Sequence, residues 1–365
     1  MDDIPNRPFT LILEPASGCN LDCRYCYTHT HSGRIMDRKT LTIALRKGIA
    51  YALDEGFEEI HILWHGGEPL LAGVDFFRYA LQRITEIGGD KACRHFIQTN
   101  GLLADEAFCR LFRRHGFEVG LSLDGPADIH DHMRIGRRGG KTHARVLKCL
   151  ELFERNGVKP GICAVASRIG LGEEMRIYEF FRNLGYGFGV NPMIPSVNDP
   201  ASGQYLFKSG EYGRFLCNLF DLWTATATHR VNVGPLDIFI RGLVTGETVL
   251  CQQQTSCVGA SLYVKSDGRT QLCNRSEQPV LGHIVEHSVR DMFKTTFCRD
   301  LQHREEQLPA CRKCRYQQIC HGGCPQLAMT FEGACSSPDP FCRDYRAVWD
   351  HMRRSGVEAQ FRRAV

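Results

Sequence analysis

Short apolar runs alternate with amphipathic stretches of helical period along the first two-thirds of this chain. The run Phe9-Thr10-Leu11-Ile12-Leu13 reads as a first β-strand, and residues 38–53 carry apolar positions at helical spacing. The alternation continues with strands at 59–64, 94–99, 118–123, 159–166 and 187–193. Helices are predicted between them at 74–87, 105–115, 142–156 and 173–184, and a longer one at 211–226 closes the series. Strand and helix in strict alternation imply a parallel sheet, because a parallel partner is reached only through a crossover. In such β/α folds the chemistry gathers at the C-terminal ends of the strands. The polar and glycine-rich segments fall there: Cys19 to Cys26 after strand one, His65 to Pro69 after strand two, Gln98 to Gly101 after strand three and Ser122 to Pro126 after strand four. A composition shift near residues 230–235 suggests a boundary, giving a barrel at 1–232, a cysteine-rich domain at 233–345 and a C-terminal helix or tail at 346–365.

Cysteine changes the picture most. The chain has 365 residues, 43% of them hydrophobic, and 18 cysteines, with no apolar run long enough to span a bilayer and an acidic start rather than a signal peptide. The expectation is a cytoplasmic protein, in which metal explains so many thiols better than disulfides do. A net charge of +4, with cations and acids interspersed, gives no case for nucleic acid. Cys93, Cys109, Cys149, Cys163 and Cys217 occur singly and read as small buried hydrophobes. Cys19, Cys23 and Cys26 stand in C-x3-C-x2-C spacing, three ligands that would leave one iron of a four-iron cube open. The spacing alone also fits a zinc loop closed by His29 or His31. Beyond residue 250 the thiols return as Cys251, Cys257, Cys273, Cys311, Cys314, Cys320, Cys324 and Cys342, with Cys298 and Cys335 outside the regular spacing.

Taken together, these motifs resemble the radical S-adenosylmethionine (SAM) superfamily over residues 8–230: the cysteine triad with Tyr25 before its last thiol, and Gly66-Gly67-Glu68-Pro69 after the second strand. The resemblance implies a partial (β/α)6 TIM-like barrel whose triad holds a [4Fe-4S] cluster that chelates SAM and cleaves it to a 5′-deoxyadenosyl radical. It further implies that Gly66 and Gly67 admit the methionine part of SAM and that Glu68 accepts from its ammonium group. Ser122 and Arg134 would hold its carboxylate, and the backbone at Tyr25 would meet the adenine. Asn100 is a further candidate for the ribose or the substrate, as are Gln98 and Asp124. His65, Gln98 and Asp124 are also candidates for catalysis. The second half resembles the SPASM extension of peptide-modifying radical SAM enzymes. In that arrangement Cys251, Cys257, Cys273 and Cys324 hold one auxiliary [4Fe-4S] cluster and Cys311, Cys314, Cys320 and Cys342 a second, three clusters in all. Cys342 is preferred to Cys335 because its distance from Cys324 fits the family better.

Within this group, Gln98-Thr99-Asn100-Gly101 and Gly120 to Gly125 look most like the anaerobic sulfatase-maturing enzymes, which oxidise Cys or Ser to formylglycine. That family places a catalytic Asp after the third cysteine of the extension; this chain has Asn274, and an amide accepts no proton at accessible pH. The sequence therefore points first to a maturase of a ribosomally made precursor peptide that forms a carbon–carbon or thioether crosslink, and second to formylglycine formation. A non-catalytic electron carrier with iron–sulfur clusters is the alternative from another class. The expected partners are a precursor peptide or protein substrate and a one-electron reductant of the flavodoxin or ferredoxin type. With no long N-terminal extension, a leader would be read by the surface of the barrel and extension or by a separate leader-recognition protein; no nucleic acid or membrane partner is expected.

Overall fold

The computed structural model describes residues 7–358 apart from 29–31, 90, 197, 227, 229–230, 249 and 276–278. Strands β1 (Phe9–Leu13), β2 (Ile60–Trp64), β3 (Cys93–Thr99), β4 (Glu118–Ser122), β5 (Gly161–Ala166) and β6 (Phe188–Pro192) alternate with helices Arg38–Asp54, Val74–Ile87, Glu106–Arg114, His143–Arg155 and Glu174–Leu184, and Glu211–Ala225 follows β6. Every one of these strands pairs parallel with its neighbours, Phe9 to Leu13 running in register with Ile60 to Trp64. Helix ends sit where their chemistry puts them. Asp37 and Asp105 cap the first and third helices by accepting from the N–H groups of Thr40 and Phe108 at 2.8 and 2.9 Å, and Gly88 and Gly185 end two others in left-handed conformation. A short helix, Ala127–Met133, was not legible from periodicity because His130 and Asp131 break its apolar face.

The sheet does not stop at the expected junction. Strand β7 (Val233–Gly234) adds parallel to β6, and on the opposite edge β8 (Ser261–Val264) adds parallel to β1, followed by antiparallel β9 (Arg269–Gln271) and β10 (Gly282–His283). The order is β10-β9-β8-β1-β2-β3-β4-β5-β6-β7, an open, partial barrel whose first strand is flanked by the cysteine-rich half. Glu14, buried at the end of β1, fastens that join: its carboxylate accepts from the Ser266 N–H at 3.0 Å, the Ser266 hydroxyl at 2.7 Å and the Tyr263 hydroxyl.

The C-terminal helix, Cys342–Arg354, is more than a solvated tail. It buries Tyr345, Val348, Trp349 and Met352 against helix Leu236–Thr245 and helix Glu211–Ala225, leaving Arg353 and Arg354 exposed. Asp344 accepts from the Gly213 N–H at 2.6 Å, an approach only glycine permits, since a Cβ there would lie 2.9 Å from Asp344 backbone. These contacts give the cysteine-rich half an apolar core shared with the barrel, so its folding does not fall to metal alone.

Candidate functional site

The loop after β1 carries Cys19, Cys23 and Cys26 and is tied down by backbone hydrogen bonds, Asp22 N–H to Ile135 C=O at 2.8 Å and Arg24 N–H to Met133 C=O at 2.9 Å. The turn after β2 packs directly on it. Gly67 donates to Ala16 C=O and Glu68 to Gly18 C=O, and a Cβ on Gly67 would sit 2.1 Å from the Gly18 oxygen. Gly66 has φ +139°, a glycine conformation. The need for two glycines is thus already set by the close approach of the cysteine loop.

Several expected site side chains are engaged by the protein itself. Glu68 is buried, and its carboxylate accepts from the Thr99 hydroxyl at 2.7 Å, the Asn100 N–H at 2.8 Å and the Leu70 N–H at 3.0 Å. These bonds lock the glycine turn to the end of β3, and Glu68 also lines the cavity over these strand ends. Asp124 receives the Tyr25 hydroxyl at 2.5 Å, Arg134 Nε at 2.9 Å, Arg134 Nη2 at 3.1 Å and the Val165 N–H at 2.9 Å, which fills its acceptor capacity. Arg134 lies with its planar fork against this carboxylate while still lining the cavity wall. Ser122 accepts from Gln98 Nε2 at 2.9 Å, and Asn100 donates to Asn20 Oδ1 at 2.8 Å.

A cavity of about 740 Å³ lies over these strand ends. Cys19, Cys23, Cys26, Tyr25, Gly66, Gly67, Glu68, Gln98, Asn100, Ser122 and Arg134 line it on the barrel side, and Cys251, Cys257, Cys273 and Cys324 line it on the other. The fold thus brings two of the three spaced thiol groups to one chamber. Within each group the thiols lie in one another's electrostatic field: Cys23 with Cys19 and Cys26, and Cys257 with Cys251, Cys273 and Cys324. Away from this chamber, Cys342 faces Cys311 and Cys314, and Cys320 faces Cys342 and Cys311. Cys335 instead has Arg304 as its charged neighbour. Among the described residues no three His, Cys, Asp or Glu side chains converge on a single-ion site, and His29 and His31 lie outside them. Burial, with Glu68 adding to it, pushes the Cys19 thiol up to about 12, and burial pushes Cys320 and Cys324 equally high. Thiols so placed give up their protons to a metal centre rather than to water, and this donor set fits iron–sulfur clusters.

Asn274 follows Cys273 and turns its amide to His65, with Nδ2 2.7 Å from His65 Nδ1. The Gly66 N–H also points at that nitrogen, at 2.7 Å. With two donors on Nδ1, the ring is held neutral with its proton on Nε2. Burial, and secondarily Arg275, lowers its pKa to about 4. Arg275, which the sequence did not single out, is a half-buried cation on the cavity wall. Its Nη1 donates to Gln252 Oε1 at 3.2 Å, and Cys324, Cys251 and Cys273 lie in its field. Cys163, expected to be an inert hydrophobe, also lines the chamber and accepts from Asn191 Nδ2 at 3.5 Å. A charged residue directly after the first strand could have drawn attention to Glu14; Arg275 carries no such signal.

Comparison with known proteins accounts for this arrangement. Residues 13–181 match the Radical SAM superfamily, and residues 245–315 match SPASM, an iron–sulfur cluster-binding domain. A cysteine-type anaerobic sulfatase-maturating enzyme of Clostridium perfringens (strain 13 / Type A) is 28% identical over 94% of this chain and 96% of its own length. A serine-type enzyme of Klebsiella aerogenes is 29% identical over 87% of this chain and 80% of its own. The solved structure of native anSMEcpe with bound AdoMet and Cp18Cys peptide superposes with a TM-score of 0.85 at 26% identity, covering 97% of this chain and all of that one. No helix among the described residues is long and apolar enough to cross a membrane. Strand-end chemistry, grouped thiols and relatives aligned along nearly the whole chain converge, and we conclude that this chain is a radical SAM enzyme with a SPASM extension.

Proposed function

We propose that this enzyme oxidises a cysteine side chain within a polypeptide to an aldehyde, the sulfatase-maturase type of reaction, and that it prefers cysteine to serine. The relatives include both cysteine- and serine-type enzymes. The observation that carries the choice is the Asn274–His65 contact. Where a base is expected there is an amide bonded to a neutral imidazole, and Glu68, the one carboxylate on the cavity wall among the described residues, is spent on internal donors. A serine hydroxyl needs a base to lose its proton; a thiol, with an ordinary pKa of about 8.5, ionises more readily, and more so beside a cation such as Arg275 on the cavity wall.

Cys19, Cys23 and Cys26 would hold the cluster that binds SAM, with Cys251, Cys257, Cys273 and Cys324 and then Cys311, Cys314, Cys320 and Cys342 holding the two auxiliary clusters. When bound, these groups supply the acceptor for one hydrogen atom and the acceptor for one electron. The chain's own residues exclude bulk water, present the substrate's Cβ between the two thiol groups and keep its sulfur anionic. A thiolate that loses a Cβ hydrogen atom and one electron becomes a thioaldehyde, which water converts to the aldehyde with loss of sulfide. An external one-electron reductant of the flavodoxin or ferredoxin class completes the cycle.

The test is anaerobically reconstituted enzyme with SAM, reductant and the Cp18Cys peptide. The expected product carries oxygen in place of sulfur and two hydrogens fewer, one such change per 5′-deoxyadenosine formed, while the serine counterpart of the peptide stays unchanged. Sulfur retained with two hydrogens lost would instead mark the crosslinking reaction, and 5′-deoxyadenosine without any change of peptide mass would refute the proposal.

A further inference from the structure

Gln326 begins the second position of helix Pro325–Glu332, two residues after the cluster thiol Cys324. Its side chain is 2% exposed and lines the chamber shared by the two thiol groups, yet neither its Nε2 nor its Oε1 has a hydrogen-bond partner. A buried primary amide with both ends unpaired is costly, so its retention asks for a ligand that supplies an acceptor and a donor side by side. The segment that carries it is rigid. Arg304 donates to the carbonyls of Gly322 and Gly323 at 3.0 and 2.9 Å, and Asp339 accepts from the Cys324 N–H at 2.8 Å. The backbone that presents the unpaired amide to the chamber is therefore tied down on the side of Cys324.

The complement of a carboxamide is another amide. We infer that Gln326 pairs with a backbone peptide group of the polypeptide substrate, its Nε2 donating to a carbonyl and its Oε1 accepting from an N–H, and so fixes the register of the chain threading between the barrel and the SPASM half. This rests on the reading of the substrate as a polypeptide. A backbone contact of this kind is independent of side-chain identity, and it positions whichever residue follows at a set distance from the reacting centre. Gln326 is thus a substrate-positioning residue, with no part in proton or electron transfer.

The prediction has two opposite signs. In Gln326→Met, a replacement of similar length without polar atoms, the free holoenzyme should melt at the same or a higher temperature, because an unsatisfied amide has been removed. Binding of the Cp18Cys peptide should weaken by roughly ten- to a hundredfold, two neutral hydrogen bonds' worth. SAM cleavage without peptide should stay within twofold, and kcat at saturating peptide should change much less than KM. Gln326→Glu keeps an acceptor and loses the donor, and should fall between wild type and Gln326→Met in peptide affinity. Peptide affinity unchanged in Gln326→Met would overturn the inference. So would a fall in melting temperature with affinity unchanged, the mark of a bond within the protein. A shifted cluster reduction potential with unchanged peptide affinity would assign the amide to the cluster and overturn it as well. If wild-type enzyme binds no peptide at all, the polypeptide reading itself fails, an outcome separate from any difference between variants.

Discussion

Asn274 stands where the family resemblance would place a catalytic Asp, and introducing a carboxylate there gives the sharpest prediction. In Asn274→Asp an anionic oxygen replaces the amide nitrogen 2.7 Å from His65 Nδ1. The interaction turns from a donor facing a lone pair into two lone pairs facing each other, which is relieved when His65 takes a proton at Nδ1 and donates it to the carboxylate, giving up the bond it accepts from the Gly66 N–H. Opposite charges about 4 Å apart in an environment of effective dielectric about 20 attract by about 4 kcal/mol, or about three pKa units. That is enough to lift His65 from about 4, where burial and Arg275 hold it, into the neutral range. The carboxylate and imidazole together then form a proton acceptor, an element typically worth 10²- to 10⁴-fold in rate. The assay is conversion of the serine form of the Cp18Cys peptide, read by mass and by aldehyde trapping, over a series of pH values. Wild type should convert only the cysteine form, and Asn274→Asp should gain the serine form by at least tenfold, with activity rising as pH passes through the neutral range. The reasoning is refuted if the variant cleaves SAM normally but gains no serine conversion, or if wild type converts serine and cysteine forms equally.

Other consequences follow from single contacts. Cys342→Ala should lose one cluster's worth of iron, whereas Cys335→Ala, whose charged neighbour is Arg304, should keep the full complement; iron and sulfide analysis decides. Glu68→Gln puts an amide donor among three donors, and should cost about 2–4 kcal/mol in urea unfolding before any effect on SAM affinity. Unchanged stability with weakened SAM binding would return Glu68 to its role as ammonium acceptor. Arg134→Met strands Asp124 as a buried charge and should destabilise by about 3–5 kcal/mol. His95, stacked on Phe117 and lowered to about 4 chiefly by burial, is held neutral in the fold. Its depressed value makes its contribution present above 6.5 and lost as pH falls toward about 4, so His95→Phe should flatten that limb by up to about 3 kcal/mol in unfolding measurements.

Local rules determined much of this molecule. The strands and helices of the barrel follow from apolar runs, helical spacing and caps such as Asp37 and Asp105, because those forces act within a few residues. The cysteine spacings marked the thiols as candidate ligands, since ligands of one centre must stand on one loop or on loops the fold brings together. What sequence alone left undecided were the couplings between distant segments. Glu68, Asp124 and Arg134 read as ligands for a small molecule because they are polar residues at strand ends; the fold gives each of them internal partners, Glu68 with Thr99, Asn100 and Leu70, and Asp124 with Arg134, a buried charge being tolerable only when its partners close around it. Glu14 and Ser266, 252 residues apart, join the two halves, and no local pattern announces such a bond. The meeting of Asn274 with His65, and the unpaired amide of Gln326 in the chamber wall, likewise depend on where the β8 and β9 strands dock against β1. The sequence named the cofactors this chain is built to hold. Tertiary structure decided which polar groups remain free to meet a substrate, because only the folded chain shows which of them already have partners.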